Sequence, residues 1–105
     1  MMTSLEELRR QHPVADREEY ERAYAEADLA SRMAEIVYRL RTGAGLTQTE
    51  LARRMGTTQS SIARVEAGGS LPTLDLLDRV GRALDAQVTL TVSGETVRFG
   101  GTDAA

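Results

Sequence analysis

Three side chains of the segment QSSIAR, which starts at Gln59, have the chemistry that reading a DNA base requires. Gln59 can form two hydrogen bonds to adenine, Arg64 can form two to guanine, and Ser60 can bond to several base edges. If the segment is helical, Ile62 and Val65 lie on its apolar side and the three polar residues lie on the outer side. We therefore interpret this segment as the start of a helix that meets DNA bases.

The residues around this segment predict a helix, a sharp turn and a second helix. Thr47, with Glu50 three residues later, is a capping-box signature for the first helix. Gly56 can take the positive φ of a tight turn, and Thr57 or Thr58 can cap the second helix. A helix-turn-helix that reads DNA also needs a small residue where its helices cross and apolar residues beneath them. Those positions hold Ala52, and Leu51, Met55, Ile62 and Val65.

Apolar spacing and capping signatures predict five helices before residue 86. A short helix begins at Ser4, and a long amphipathic helix runs from Asp16 toward Gly43, either unbroken or in two parts that join near Asp28. The two helices of the central segment follow, and a helix over residues 73–85 comes last. The fold class is therefore mainly α. In the long helix, the residues expected to cover the core are Met33, Ile36, Val37 and Leu40.

After residue 86 the apolar period changes from that of a helix to that of a strand. Val88, Leu90 and Val92 alternate with polar residues, and the turn signal Ser93-Gly94 follows, which predicts a β-hairpin. Because a lone two-stranded hairpin is marginally stable, its apolar residues are expected to pair two copies of the chain. The predicted organisation is an acidic N-terminal extension, a helix-turn-helix domain, a dimerisation hairpin and a flexible tail, over residues 1–28, 29–86, 87–100 and 101–105.

Composition and charge limit the class of protein. The 105 residues, 41% of them hydrophobic, suit one small domain, and the absence of cysteine excludes disulfides and thiol chemistry. No signal peptide or membrane-spanning run is found, so we expect a cytoplasmic protein that does not enter a membrane. Residues 1–28 hold eight acidic residues and four arginines, whereas residues 29–67 hold six arginines and three glutamates. The basic middle of the chain is the part suited to nucleic acid.

No group of residues in the sequence indicates catalysis. The single histidine, His12, has neither a cysteine nor a second histidine with which to hold a metal. The adjacent carboxylates Glu18 and Glu19 suit capping and helix-dipole roles at a helix start rather than general acid–base chemistry. We expect a protein that is not an enzyme, has no metal site and needs no cofactor.

Residues 39–85 resemble the Xre (Cro/C1-type) helix-turn-helix family, to which the lambdoid phage repressors belong. The resemblance rests on the segments GLTQTELARRMGTTQSSIARVEAG and PTLDLLDRVGRAL. It implies a lambda-repressor-like DNA-binding domain of five helices, a phosphate contact from Gln48, and base contacts from Gln59, Ser60 and Arg64. It implies further phosphate contacts from Thr57, Thr58 and Ser70.

The same family pairs an arginine that ends the helix before the motif with a glutamate late in the second motif helix, and these positions fall on Arg41 and Glu66. The structural positions within the motif fall on Ala52, Gly56 and Ile62. The sequence departs from the family after Gly68, where relatives often carry Lys or Arg and this chain has the uncharged segment GSL. Affinity for phosphates should therefore be modest for one copy, and a homodimer on a palindromic double-stranded operator would compensate.

The whole chain resembles HigA-type antitoxins, which are short Xre-family proteins with an N-terminal helical extension, encoded beside a small basic RelE/HigB-type ribonuclease toxin. The segment DREEYERAYAEADLASRMAEIVYRLR carries this resemblance, and its acidic character fits a basic toxin. The resemblance implies two activities, neutralisation of the toxin by complex formation and repression of the shared operon. Tyr20 and Tyr24 are the residues expected to contact the toxin, because tyrosine supplies contact area beside the carboxylates.

Two alternatives to the antitoxin remain open. The first is a stand-alone transcriptional regulator without a toxin partner, whose N-terminal helices serve only stability. The second is a protein adaptor whose motif no longer binds DNA, which the intact Gln48, Gln59 and Arg64 disfavour. Substitution of Tyr20 and Tyr24 separates the first alternative from the antitoxin, because loss of toxin binding with DNA binding retained supports the antitoxin.

Overall fold

The computed structural model describes residues 14–101, so the helix expected from Ser4 and most of the expected tail lie outside the described residues. Helix α1 runs from Val14 to Gly43 and is followed by three shorter helices and a two-stranded antiparallel hairpin. The shorter elements are α2 (Gln48–Met55), α3 (Gln59–Glu66), α4 (Leu74–Leu84), β1 (Gln87–Val92) and β2 (Glu95–Gly100).

The described residues contain four helices rather than the five expected, because the short helix expected from Ser4 lies outside them and the long helix is a single one. Helix α1 passes through Asp28 without a joint, since residues 14–42 contain no glycine or proline that would interrupt a helix. Ion pairs at i, i+4 spacing join Asp28 to Arg32 at 3.1 Å and Glu35 to Arg39 at 2.6 Å. The expected boundary between residues 28 and 29 therefore falls inside one helix.

The core lies where α2, α3 and α4 meet the C-terminal half of α1. Leu51 of α2 and Ile62 of α3 are completely buried there. The other buried members of the cluster are Val37, Ala52, Met55 and Val80. Of the four α1 residues expected to cover this core, only Val37 is buried, and the expectation is wrong for Ile36 and Leu40, which are exposed. Small alanines, Ala30 and Ala34, fill the rest of the contact, so α1 meets its neighbours along a narrow line.

The N-terminal half of α1 projects from this core. None of the residues between 16 and 29 is buried, whereas Ala30 is the first buried residue of the helix. A helix of this length spans about 45 Å at 1.5 Å per residue, so about half of it extends past the domain. No helix within residues 14–101 has the length and apolar character needed to cross a membrane.

The hairpin is attached to α4 at its base. Val88 pairs with Phe99 and Leu90 with Val97 across the two strands. A Cβ on Gly81 of α4 would lie 2.6 Å from the Ala86 carbonyl oxygen, so only glycine permits this close approach of helix and strand. The Gly100 N–H also donates to Asp78 Oδ1 at 2.8 Å. The far end of the hairpin is left exposed to solvent.

Candidate nucleic-acid interface

The turn between α2 and α3 is fixed by backbone hydrogen bonds and one glycine conformation. Gly56 has φ of 67°, and its N–H donates to the Arg53 carbonyl at 3.2 Å. The Thr57 N–H donates to the Ala52 carbonyl at 2.9 Å, which completes a Schellman motif. A Cβ at position 56 would meet no atom within 4 Å, so glycine is favoured there by its φ rather than by space. This turn sets the angle at which α3 leaves α2.

Both motif helices begin with a threonine cap. Thr47 and Glu50 form the capping box, and the hydrogen bond from the Thr47 N–H at 3.1 Å lowers the pKa of Glu50. The Thr58 hydroxyl accepts from the Ser61 N–H at 3.2 Å. These caps satisfy N–H groups that have no partner within a helix, and they fix where α2 and α3 start.

Helix α3 presents its polar residues outward. Gln59, Ser60 and Arg64 are exposed, while Ile62 on the opposite side is completely buried and Val65 packs against the core. Arg64 forms no ion pair with any residue between 14 and 101, so its guanidinium is available to an external group. The outer face of α3 therefore offers one amide, one hydroxyl and one guanidinium.

A chain of side-chain hydrogen bonds connects α1 to the first residue of α3. Arg41 donates to Glu66 through Nε at 2.7 Å and Nη2 at 2.9 Å. Gln48 Nε2 donates to Glu66 Oε1 at 3.1 Å, and Gln59 Nε2 donates to Gln48 Oε1 at 2.7 Å. The Gln59 amide is thus held in one orientation by a chain that begins at a buried ion pair. This arrangement lowers the conformational entropy that Gln59 would lose on contacting a base.

The ion pair at the start of this chain is shielded from solvent. The Arg41 and Glu66 side chains are only 11% and 5% exposed, and Arg41 also donates to the Leu46 carbonyl at 2.8 Å. Burial by itself would raise the pKa of Glu66, but the hydrogen bonds from Arg41 and Gln48 and the charge of Arg41 outweigh it, so the pKa is lowered. The hydrogen bond to Glu66 is the main cause of the raised pKa of Arg41. Both groups are charged at neutral pH.

The lowered pKa of Glu66 predicts a loss of stability in acid. A carboxyl whose pKa is lower in the folded than in the unfolded state stabilises the fold above its unfolded value, about 4.3, and loses this contribution as the pH falls through the folded value. We expect the free energy of unfolding to fall more between pH 7 and pH 3 for the wild type than for Glu66→Gln. Urea denaturation followed by circular dichroism at both pH values measures this, and equal falls would contradict the prediction.

The remaining residues singled out in the sequence lie at several distinct places. Thr57 is half-buried in the α2–α3 turn, and Ser70 is exposed in the loop after α3. Tyr20 and Tyr24 are 39% and 61% exposed on the projecting part of α1. On the hairpin, Leu90 and Val92 are exposed, whereas Val88 is half-buried against its own chain.

Two features of this surface were missed by the sequence interpretation. One is the bridging position of Gln48, which touches both Glu66 and Gln59. The other is the exposure of Ile36 and Leu40. Neither feature has a local signal in the sequence. Gln48 lies 11 residues from Gln59 and 18 from Glu66, and helical spacing does not distinguish the exposed apolar positions of α1 from the buried ones.

The fold and the site define a helix-turn-helix protein: two short helices, a glycine turn, and a second helix with an exposed polar face. A family model described as helix-turn-helix matches residues 37–90, which is half of the chain, and the chain belongs to this family. The matched region contains α2, α3, α4 and the Arg41–Glu66 pair.

Curated proteins similar to the chain include an antitoxin. Antitoxin HigA1 from two strains of Mycobacterium tuberculosis is 37% identical over 73 residues, which are 70% of this chain and 49% of that protein. An uncharacterised HTH-type transcriptional regulator from Methanothermobacter thermautotrophicus is 42% identical over 52 residues, 50% of this chain and 75% of that protein. The chain thus spans about half the length of the HigA1 relatives. These matches confirm the resemblance to Xre-type proteins and to HigA-type antitoxins.

Proposed function

We propose that the chain is a cytoplasmic, sequence-specific DNA-binding transcriptional repressor with α3 as its recognition helix. The observation that carries this proposal is the exposed polar face of α3, whose first residue, Gln59, is held in place through Gln48 and Glu66. A helix of this kind fits the major groove, where the base edges present distinct hydrogen-bonding patterns. Membership of the helix-turn-helix family supports the same function.

In this proposal the phosphate contacts come from the helix starts and from the loop after α3. Gln48 is the first residue of α2, Thr57 and Thr58 precede α3, and Ser70 follows it. The free N–H groups and the positive dipole ends at the starts of α2 and α3 favour phosphate oxygens. Such contacts fix the position of the protein on DNA, and the bases are left to Gln59, Ser60 and Arg64.

Two substitutions separate base reading from phosphate binding. Arg64→Ala is expected to relax specificity by about 1–3 kcal/mol, because a bidentate contact to guanine gives that much discrimination. Gln48→Ala is expected to weaken binding to every DNA sequence through the lost phosphate contact, with a smaller loss of specificity because Gln59 loses the amide that orients it. Fluorescence anisotropy with an operator duplex and a scrambled duplex measures both effects. Arg53→Ala, which removes an exposed arginine from α2, is the charge control. Equal losses on both duplexes for Arg64→Ala would contradict its assignment to bases.

We propose that the repressor acts as a homodimer joined through the hairpin. Leu90, Val92 and Val97 lie on one face of the hairpin and are 39%, 63% and 61% exposed. Val88 packs on its own α4, so its role in the dimer would be to hold the hairpin in place. A twofold pair would present two copies of α3 about 34 Å apart, which is one turn of a palindromic operator.

We propose further that this repressor is the antitoxin of a type II toxin–antitoxin module, which neutralises a RelE/HigB-type ribonuclease toxin and represses its own operon. The kinship with HigA1 supports this function. The projecting part of α1 supports it too, since residues 16–29 hold six acidic residues and two arginines. Carboxylates attract a basic partner, and the exposed Tyr20 and Tyr24 would supply contact area.

The antitoxin function is tested with the protein encoded beside this chain, expressed alone and together with it. Growth arrest by the neighbouring protein alone, relief of the arrest on co-expression, and a stoichiometric complex on purification would support the antitoxin. A harmless neighbour that does not bind would instead identify a stand-alone regulator. In the first case Tyr20→Ala with Tyr24→Ala is expected to weaken the complex and leave operator binding unchanged.

A further inference from the structure

Helix α1 carries an apolar face that its own domain does not cover. Leu29, Ile36 and Leu40 are 48%, 52% and 38% exposed, and Met33 between them is half-buried. Their spacing of four, three and four residues places all of them on one side of the helix. We call these residues the α1 stripe: Leu29, Met33, Ile36 and Leu40. The buried face of α1 is a different one, formed by Ala30, Ala34, Val37 and Arg41.

The α1 stripe lies on a helix that is already formed and fixed. Its C-terminal half is anchored because Val37 is buried in the core and Arg41 is bonded to Glu66. The i, i+4 ion pairs Asp28–Arg32 and Glu35–Arg39 stabilise the helix along the same length and lie beside the stripe rather than on it. A partner that binds the stripe would therefore pay little entropy for ordering this helix.

Charge and size indicate what covers the stripe. The stripe continues directly into the acidic projecting part of α1, so a second copy docked on this face would bring two acidic segments together, which is electrostatically disfavoured. The stripe is also only about 17 Å long, which is too small alone for the roughly 800 Å² per partner of a stable dimer. A basic protein could bury the stripe and pair with the acidic part of the same helix.

We propose that the α1 stripe is the apolar centre of the surface that docks a basic partner protein. Helix α1 would lie in an apolar groove of the partner, and the rim of that groove would be basic. The proposal rests on the antitoxin function, whose partner is a small basic protein. The main contact then lies on a different face of α1 from Tyr20 and Tyr24. If the stripe's spacing of three and four residues is continued toward the N-terminus, it includes neither position. The acidic residues would steer the encounter, and the stripe would hold the complex.

The test is calorimetric titration of the full chain with the protein encoded beside it. Leu29→Gln with Ile36→Gln is expected to weaken binding by at least about thirtyfold, the loss typical of truncating a hot-spot residue. Helicity and operator affinity should not change, since both side chains are exposed and glutamine is a good helix former. Leu71→Gln with Leu74→Gln removes two exposed leucines outside α1 and should change binding by less than about threefold.

Three results would overturn the proposal. If the wild type does not bind the neighbouring protein, the antitoxin function fails and this surface fails with it. If the wild type binds and the stripe variant binds equally well, the stripe assignment alone fails, and loss of binding only in Tyr20→Gln with Tyr24→Gln would place the partner on the tyrosine side. If the stripe variant turns a dimer of the free chain into a monomer, a second copy is the occupant.

Discussion

Arg41→Ala is expected to lower the free energy of unfolding by about 3–5 kcal/mol, the cost of removing one partner from a buried ion pair. The substitution leaves the Glu66 carboxylate 5% exposed in the wild-type geometry and without its two bonds from Arg41. It also removes the donor to the Leu46 carbonyl. Since small domains are stable by only about 5–15 kcal/mol, urea denaturation should show a much lower midpoint.

Two controls decide whether the ion pair is the cause. Arg39→Ala on the same helix breaks the exposed pair with Glu35, and we expect a loss of only about 0.3–0.5 kcal/mol. Replacing both partners, Arg41→Met with Glu66→Leu, should recover much of the stability, because no buried charge is then left without its partner. A loss below about 1 kcal/mol for Arg41→Ala, or no recovery in the double variant, would contradict the argument.

The double variant also separates stability from DNA binding. It would restore the fold but not the hydrogen bond from Gln48 to Glu66, so the Gln48 amide that orients Gln59 would no longer be held in place. Operator affinity should therefore stay below that of the wild type even where stability has recovered. If stability and operator affinity both recovered, the hydrogen-bond chain would contribute to folding but not to DNA binding.

The local geometry of the motif could be predicted because each feature depends on residues a few positions apart. The capping box of Thr47 with Glu50, the cap at Thr58 and the left-handed Gly56 each have a short-range signature, and the structure has all of them. The alternation of apolar residues after residue 86 predicted the hairpin in the same way. Turn and cap chemistry is local, so one sequence is sufficient to find it.

The face that α1 turns to the core could not be predicted in the same way. Apolar residues cover a wide arc of the helix at Met33, Ile36, Val37 and Leu40, and periodicity does not say which part of the arc is buried. The structure buries the side with Ala30, where small side chains allow close packing. The link from Gln48 to Glu66 also joins residues 18 positions apart, and no local pattern contains such a distance.

Replacing Leu90 by Lys together with Val97 by Glu is expected to turn the dimer into a monomer and to lower operator affinity by about 10²–10⁴-fold, the gain that two linked sites provide over one. Leu90 and Val97 are direct cross-strand partners, so the new charges are opposite and should keep the hairpin paired. Because the net charge of the chain does not change, a general electrostatic effect on DNA binding cannot explain the loss of operator affinity.

The same exchange on the other face of the hairpin is the matched control. Thr91 and Thr96 are also direct partners, with hydroxyl oxygens 3.1 Å apart, and both are exposed. Thr91→Lys with Thr96→Glu should leave the dimer and operator affinity intact, because only the Leu90 face is apolar. Sedimentation velocity at micromolar concentration and anisotropy with a full operator and a half-site distinguish the cases.

An isolated half-site tests whether the hairpin supplies affinity by pairing two recognition helices. If the dimer supplies affinity by linking two recognition helices, the Leu90→Lys, Val97→Glu variant and the wild type should bind an isolated half-site with the same affinity, since α3 and its supporting hydrogen bonds are untouched. A variant that is monomeric yet binds the full operator like the wild type would show that one α3 is sufficient. A variant that remains dimeric would move the dimer contact away from the hairpin and make the α1 stripe the next surface to test.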